Sequence, residues 1–82
     1  LHVYAIIRNP IHHPGKFVTW RWKLHFDSSS GAVSYVGAIE AVEDTQEEAR
    51  RKGVPIFLRQ LAEASYEKIA KQLALDIVEC WS

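Results

Sequence analysis

The stretch Phe17 to Phe26, FVTWRWKLHF, sets Thr19, Arg21, Lys23 and His25 at alternate positions. Strict alternation is the pattern of a strand, and it sends these four to one face. A guanidinium, an ammonium and an imidazole on one surface could meet phosphates or base edges, as strand-based readers of DNA do. Arg8 and Lys16 lie in the same basic part of the chain. The candidate nucleic-acid contacts are therefore Arg8, Lys16, Arg21, Lys23 and His25. The plainer account of these residues is a solvated strand face, on which lysine guards against edge pairing.

Other chemistry finds little support. His12 and His13 are adjacent on a loop beside prolines, without the spacing of paired zinc ligands, so no metal site is expected. Cys80 is the sole cysteine, which rules out an internal disulfide. A free cysteine near the end of a helical stretch reads as inert filling rather than as a nucleophile. The carboxylates fall mainly in helical i,i+4 pairs with bases, Glu47–Arg51 and Glu67–Lys71, which is ordinary helix support. The four glycines are scattered turn residues and make no phosphate-cradling loop. We expect no enzyme and no cofactor.

The formal net charge is zero, whereas dedicated nucleic-acid binders carry a basic excess. The distribution is uneven. Up to Ser30, Arg8, Lys16, Arg21 and Lys23 stand against Asp27 alone, while Gly31 to Gly53 is acidic. No apolar run approaches the roughly 20 residues that cross a bilayer, and no secretory signal is read. With the lone cysteine, this leads us to expect a cytoplasmic protein. A chain of 82 residues is expected to form a single domain, 1–82, with a thin core in which aromatic residues weigh heavily.

The elements that would position the basic face follow from pattern and punctuation. His2 to Arg8, HVYAIIR, reads as a first strand, ended by Asn9-Pro10. FVTWRWKLHF is the second, with Val18, Trp20, Trp22, Leu24 and Phe26 toward the core. Asp27 to Gly31, DSSSG, is a turn. Ala32 to Val42 is the third strand, in which Gly37 predicts a bulge or a close contact with a tryptophan. Thr45-Gln-Glu-Glu48 is a capping box opening a short helix, with Arg50, Arg51 and Lys52 at its end and Gly53 as its stop. Pro55 suits the start of a further helix. Leu61, Ile69, Leu73 and Ile77 recur at helical spacing, with a break near Ser65. The last helix is expected to run to about Cys80, burying Tyr66, Ile69, Leu73, Ile77 and Trp81.

Within Lys16 to Lys52, a strand with tryptophan and basic residues, a glycine turn, a second strand and then DTQEEARR resembles the three-stranded DNA-binding domains of plant ethylene-response factors. It is also similar to the arm-binding domains of phage tyrosine recombinases. The resemblance implies that the outer sheet face enters the major groove, a helix packs behind it, and Arg21 and Lys23 contact DNA. The chain departs from those families in carrying Arg8 alone in the first strand, in its neutral charge, and in placing Val18, Trp20 and Trp22 at core positions. The segment D-T-x-E-E-A also occurs in HicB-type antitoxins, whose small sheets bind a partner protein.

The expected fold is α+β: a three-stranded antiparallel meander followed by two or three helices packed on one face, β-β-β-α-α. Its core would hold Trp20, Trp22, Phe26, Tyr35, Ile39, Leu61, Ile69 and Leu73. Tyr4, Val36, Phe57 and Trp81 are candidates for apolar groups left outside. The expected function is a small non-enzymatic binding module, with DNA held on the basic sheet face. The alternative is a protein-interaction module, antitoxin-like, inhibitor-like or homodimeric.

Overall fold

A computed structural model describes residues 2–82, apart from the side chains of Leu24, Phe26, Val33 and Tyr35. Strands β1 (His2–Arg8), β2 (Phe17–Phe26) and β3 (Val33–Glu43) precede helices α1 (Gln46–Gly53) and α2 (Glu63–Leu73), and strand β4 (Ile77–Trp81) follows. The α+β class, the antiparallel sheet and the meander agree with the sequence. The sheet has four strands rather than three, in the order β3-β2-β1-β4.

The fold is governed by β1. Its apolar residues fall on both parities: Ala5, Ile6 and Ile7 are all at most 2% exposed. A strand that is apolar on both sides needs cover on both. Ala5 and Ile7 pack with Tyr66 of α2 and with Ile77 and Cys80; Ile6 packs with Ala49 of α1 and with Val54. The two helices therefore lie on opposite faces of the sheet, which corrects the expectation of one helical face. There are two thin cores.

The fourth strand replaces the expected end of the last helix. Ala74 takes a left-handed conformation (φ 53°, ψ 37°), its N–H donates to Ala70 and Lys71 carbonyls, and α2 stops at Leu73. This is the ordinary C-terminal geometry of a helix, here without the usual glycine. Ile77-Val-Glu-Cys-Trp81 then pairs with β1, from Tyr4↔Trp81 to Ile7↔Ile77 with one irregularity between Ile6 and Ile7. Its β-branched and aromatic residues suit that placement.

The stretch from Pro55 is not helical either. Leu58 N–H closes a turn on the Pro55 carbonyl (3.2 Å), and the chain then runs along the outer edge of β4. Arg59 and Ser82 exchange backbone hydrogen bonds (3.1 and 3.0 Å), and Leu61 N–H donates to Cys80 O at 2.7 Å. Helix α2 begins at Glu63, so Ser65 lies inside its first turn rather than at a break.

Helix α1 has the cap read from the sequence: Thr45 Oγ1 accepts from Glu48 N–H at 3.2 Å. The Glu48 carboxylate turns to Arg51 (2.6 Å) and Lys52 (3.7 Å) instead of closing the box, taking the role expected of Glu47. Ala49 and Gly53, four apart on one side of α1, let it come close to the sheet. Thr19 Oγ1 donates to Ala49 O at 2.6 Å, and a Cβ on Gly53 would stand 2.5 Å from Thr19 Cβ. Thr19, expected on the solvated face, is fully buried.

The expected core is corrected in part. Trp20, Trp22 and Leu61 do pack against the α2-side core, but Ile39, Ile69 and Leu73 are 46%, 45% and 37% exposed. Tyr4 and Trp81 are partly buried in the α1-side core, whereas Val36 and Phe57 are exposed as expected. Phe26 and Tyr35 lie outside the described side chains. The tryptophan contact expected at Gly37 is present: the Trp20 indole occupies the place a Cβ there would need.

Candidate functional site

The register separates the five basic candidates. Arg8 lies at one end of the β1–β2 pair, opposite Phe17, with Lys16 beside it; Lys23 lies toward the other end, opposite His2. Six residues of strand put about 20 Å between these ends. Arg8 Nε is 2.7 Å from Asp76 Oδ2, Lys16 is bonded to Asp44, and Arg21 Nε is 3.1 Å from Glu40 Oε1. The bond from Lys16 holds the Asp44 carboxyl below its usual range. Three of the five cations thus already hold carboxylates.

Lys23 and His25 remain exposed on the strand face that also carries α1. His2 joins them, a residue the sequence reading missed although its alternation with Tyr4 was visible. Partial desolvation and the charges of Arg21 and Lys23 push its imidazole below the usual range. The basic patch is His2, Arg21, Lys23 and His25, at the end of the sheet beyond α1.

The opposite face carries a larger feature. Helix α2 packs on β4 and shares a core with Ala5 and Ile7 of β1 through Tyr66, and among the described residues no helix packs on β2 and β3 on this side. A cleft of about 300 Å³ opens between α2 and the sheet, with Trp22, Tyr66, Ile69 and Leu73 in its walls. A second hollow shares Trp22 and Leu73 with it and extends over Trp20 and Ile39 to Pro10, Ile11 and His13 of the β1–β2 loop. Val42 and Ile11, on its borders, are 38% and 89% exposed. Among the described residues no carboxylate, lysine or arginine lines either hollow. Trp20, Trp22, Ile39, Ile69 and Leu73, expected to fill a core, are the floor and rim of an open apolar trough.

Two further titratable groups are buried, Glu79 on the α1 side of the sheet and Cys80 at the base of the cleft beside α2. Glu79, 3% exposed, accepts from Arg50 Nε (2.7 Å) and Nη2 (2.9 Å), from Gln46 Nε2 and from Trp81 Nε1 (3.0 Å). Burial alone would raise its carboxyl, but the donors from Arg50, Gln46 and Trp81 outweigh that and hold it low. A lone glutamate inside the apolar run IVECW was the signal available for it. Cys80, 2% exposed, has its thiol pushed up to about 11 by burial, the opposite of an activated nucleophile. Among the described residues no group of His, Cys, Asp and Glu converges to hold a metal, and no helix is long and apolar enough to cross a membrane.

No protein-family model, curated protein or solved structure matches this chain. The functional reading therefore rests on the two surfaces themselves.

Proposed function

We propose that this chain is a non-enzymatic protein-interaction module, which takes its partner on the apolar half-face formed by β2 and β3 beside α2. The carrying observation is the trough floored by Trp20, Trp22 and Ile39 and rimmed by Ile69 and Leu73. Covering apolar surface of this kind is favourable by about 25 cal/mol per Å² removed from water. A partner of apolar chemistry gains most here, in the manner of a small antitoxin or inhibitor meeting its target. A cytoplasmic setting belongs to this reading, and the lone buried Cys80 suits a reducing compartment.

A second reading keeps duplex DNA on the opposite face, and the cluster of His2, Arg21, Lys23 and His25 favours it. It is the weaker of the two. Helix α1 stands on that face, and Arg8, Lys16 and Arg21 are held by acids.

Selection of displayed random peptides against the folded protein tests the first reading, with Ile39→Asp as the counter-target. Enrichment of apolar peptides that bind the parent and lose the variant is expected. No enrichment, or equal binding to both, overturns it. Anisotropy of labelled duplex DNA tests the second, which demands binding that weakens with salt and with Lys23→Ala.

A further inference from the structure

We infer that the partner on the apolar half-face is a second copy of this chain, docked open face to open face across a two-fold axis that runs along the strands. The inference rests on the protein-interaction reading of the same surface and names its occupant.

The first argument is layer geometry. A second sheet packs about 10 Å above the first, and a helix with its side chains is about 10 Å across. Helix α2 occupies that layer over β4, and among the described residues no helix occupies it over β2 and β3, where residues 10–13 of the β1–β2 loop stand at one end. The β2–β3 half of another copy fits there beside α2.

The second argument is the sheet edges, which are treated unequally. The outer edge of β4 is covered by residues 59–61. The outer edge of β3 has no backbone partner among the described residues, although β3 is the longest strand and holds neither lysine nor proline. Its guards are Glu40, Glu43 and the one-residue irregularity opposite Thr19–Trp20, which leave the rest of a long bare edge as a liability that proteins otherwise cover. The two-fold that stacks the β2–β3 halves also brings α2 of each copy down beside the bare β3 edge of the other. One operation covers both the trough and the edge.

The third argument is charge. A two-fold contact sets a surface against itself, so any charge in it meets its like. Among the described residues the trough has no Asp, Glu, Lys or Arg in its lining, and its only titratable groups outside the core are His12 and His13 at the loop end. The two acids of β3 are neutralised within the chain, Glu40 by Arg21 and Glu43 by Lys52. The formal net charge of zero removes long-range repulsion between copies.

The last is area. The paired length of β2 and β3 spans about 30 Å, and Ile39, Val42, Ile69 and Leu73 are the described apolar residues exposed on it and on the α2 flank. Two strands over that length give about 300 Å², so the β3 edge and the α2 flank must supply the rest of the roughly 800 Å² per partner of a standard stable interface.

Sedimentation equilibrium from micromolar to millimolar chain tests the inference. The parent is expected to show twice the 9.4 kDa chain mass. Ile39→Asp, which places two carboxylates in the interface, should raise the dimer dissociation constant by about 100-fold or more. Ile69→Glu on the exposed side of α2 should do the same without touching the sheet. Val36→Asp, on the other parity of β3 from Ile39, should leave the dimer intact. A parent that stays monomeric throughout, or a dimer indifferent to both trough variants while they remain folded by circular dichroism, overturns the inference. A monomer that still enriches Ile39-dependent peptides loses the second copy but keeps the interaction reading; a monomer that enriches none loses both.

Discussion

Glu79→Gln probes the bond between β4 and α1. Each carboxylate oxygen of Glu79 accepts from two donors: Oε1 from Arg50 Nε and Trp81 Nε1, Oε2 from Arg50 Nη2 and Gln46 Nε2. A glutamine of the same shape must put an NH2 where one oxygen was, so two donors lose their acceptor whichever way it turns. Breaking a fully buried pair costs about 3–5 kcal/mol. The Arg50 side chain is 42% exposed and water can serve it, which brings the expectation down to about 2–3 kcal/mol. Urea unfolding at neutral pH should show this loss at an unchanged slope.

The pH dependence supplies a second readout. The folded Glu79 carboxyl lies below its ordinary value of 4.5. Its contribution is therefore complete above that value and is lost as pH falls through the folded pKa. The gap between parent and variant should close in acid, because protonated Glu79 resembles glutamine. A neutral-pH gap under about 0.5 kcal/mol, against the usual net worth of a charged hydrogen bond, would refute the reasoning. So would a gap that persists undiminished in acid.

Gly37→Ala should destabilise by about 1–3 kcal/mol, because the Trp20 indole must leave the space its Cβ requires. Urea unfolding reads the loss, and a shifted native tryptophan emission should accompany it. Native Cys80 should resist a thiol reagent at pH 8 and react at the rate of unfolding, given its burial and a pKa of about 11. Rapid native labelling would show that its cover opens.

Legibility in the sequence followed the strength of local signals. The first three strands and the Thr45 cap were visible because alternation and capping chemistry are written within a few residues of where they act. The final strand was hidden because Leu73, Ile77 and Trp81 fall at helical spacing while IVECW also suits a strand. A short apolar run is ambiguous between the two. The signal that decides it, a left-handed residue after the helix, is carried by Ala74, which does not advertise that conformation. Opposite-face helices were implicit in Ala5, Ile6 and Ile7, three successive apolar residues that no half-buried strand would need. The trough was hidden for a different reason. Apolar positions mark what a chain will bury, but not whether the chain itself supplies enough helix to bury it. The basic face was legible as composition, yet the carboxylates that claim Arg8, Lys16 and Arg21 come from distant segments.

The pairing of β1 with β4 joins the earliest strand to the latest, Tyr4 against Trp81. Folding order follows from that. The β2–β3 pair is local and can close early, whereas β1 can be sealed on its second edge only when nearly the whole chain has been brought round. Such long closures carry entropy that local contacts must meet beforehand, and they slow folding. Until β4 arrives, β1 has an open edge and Arg50 lacks its carboxylate. The seating of the last strand is thus the step at which the two cores, the helix anchor and the sheet become one cooperative unit.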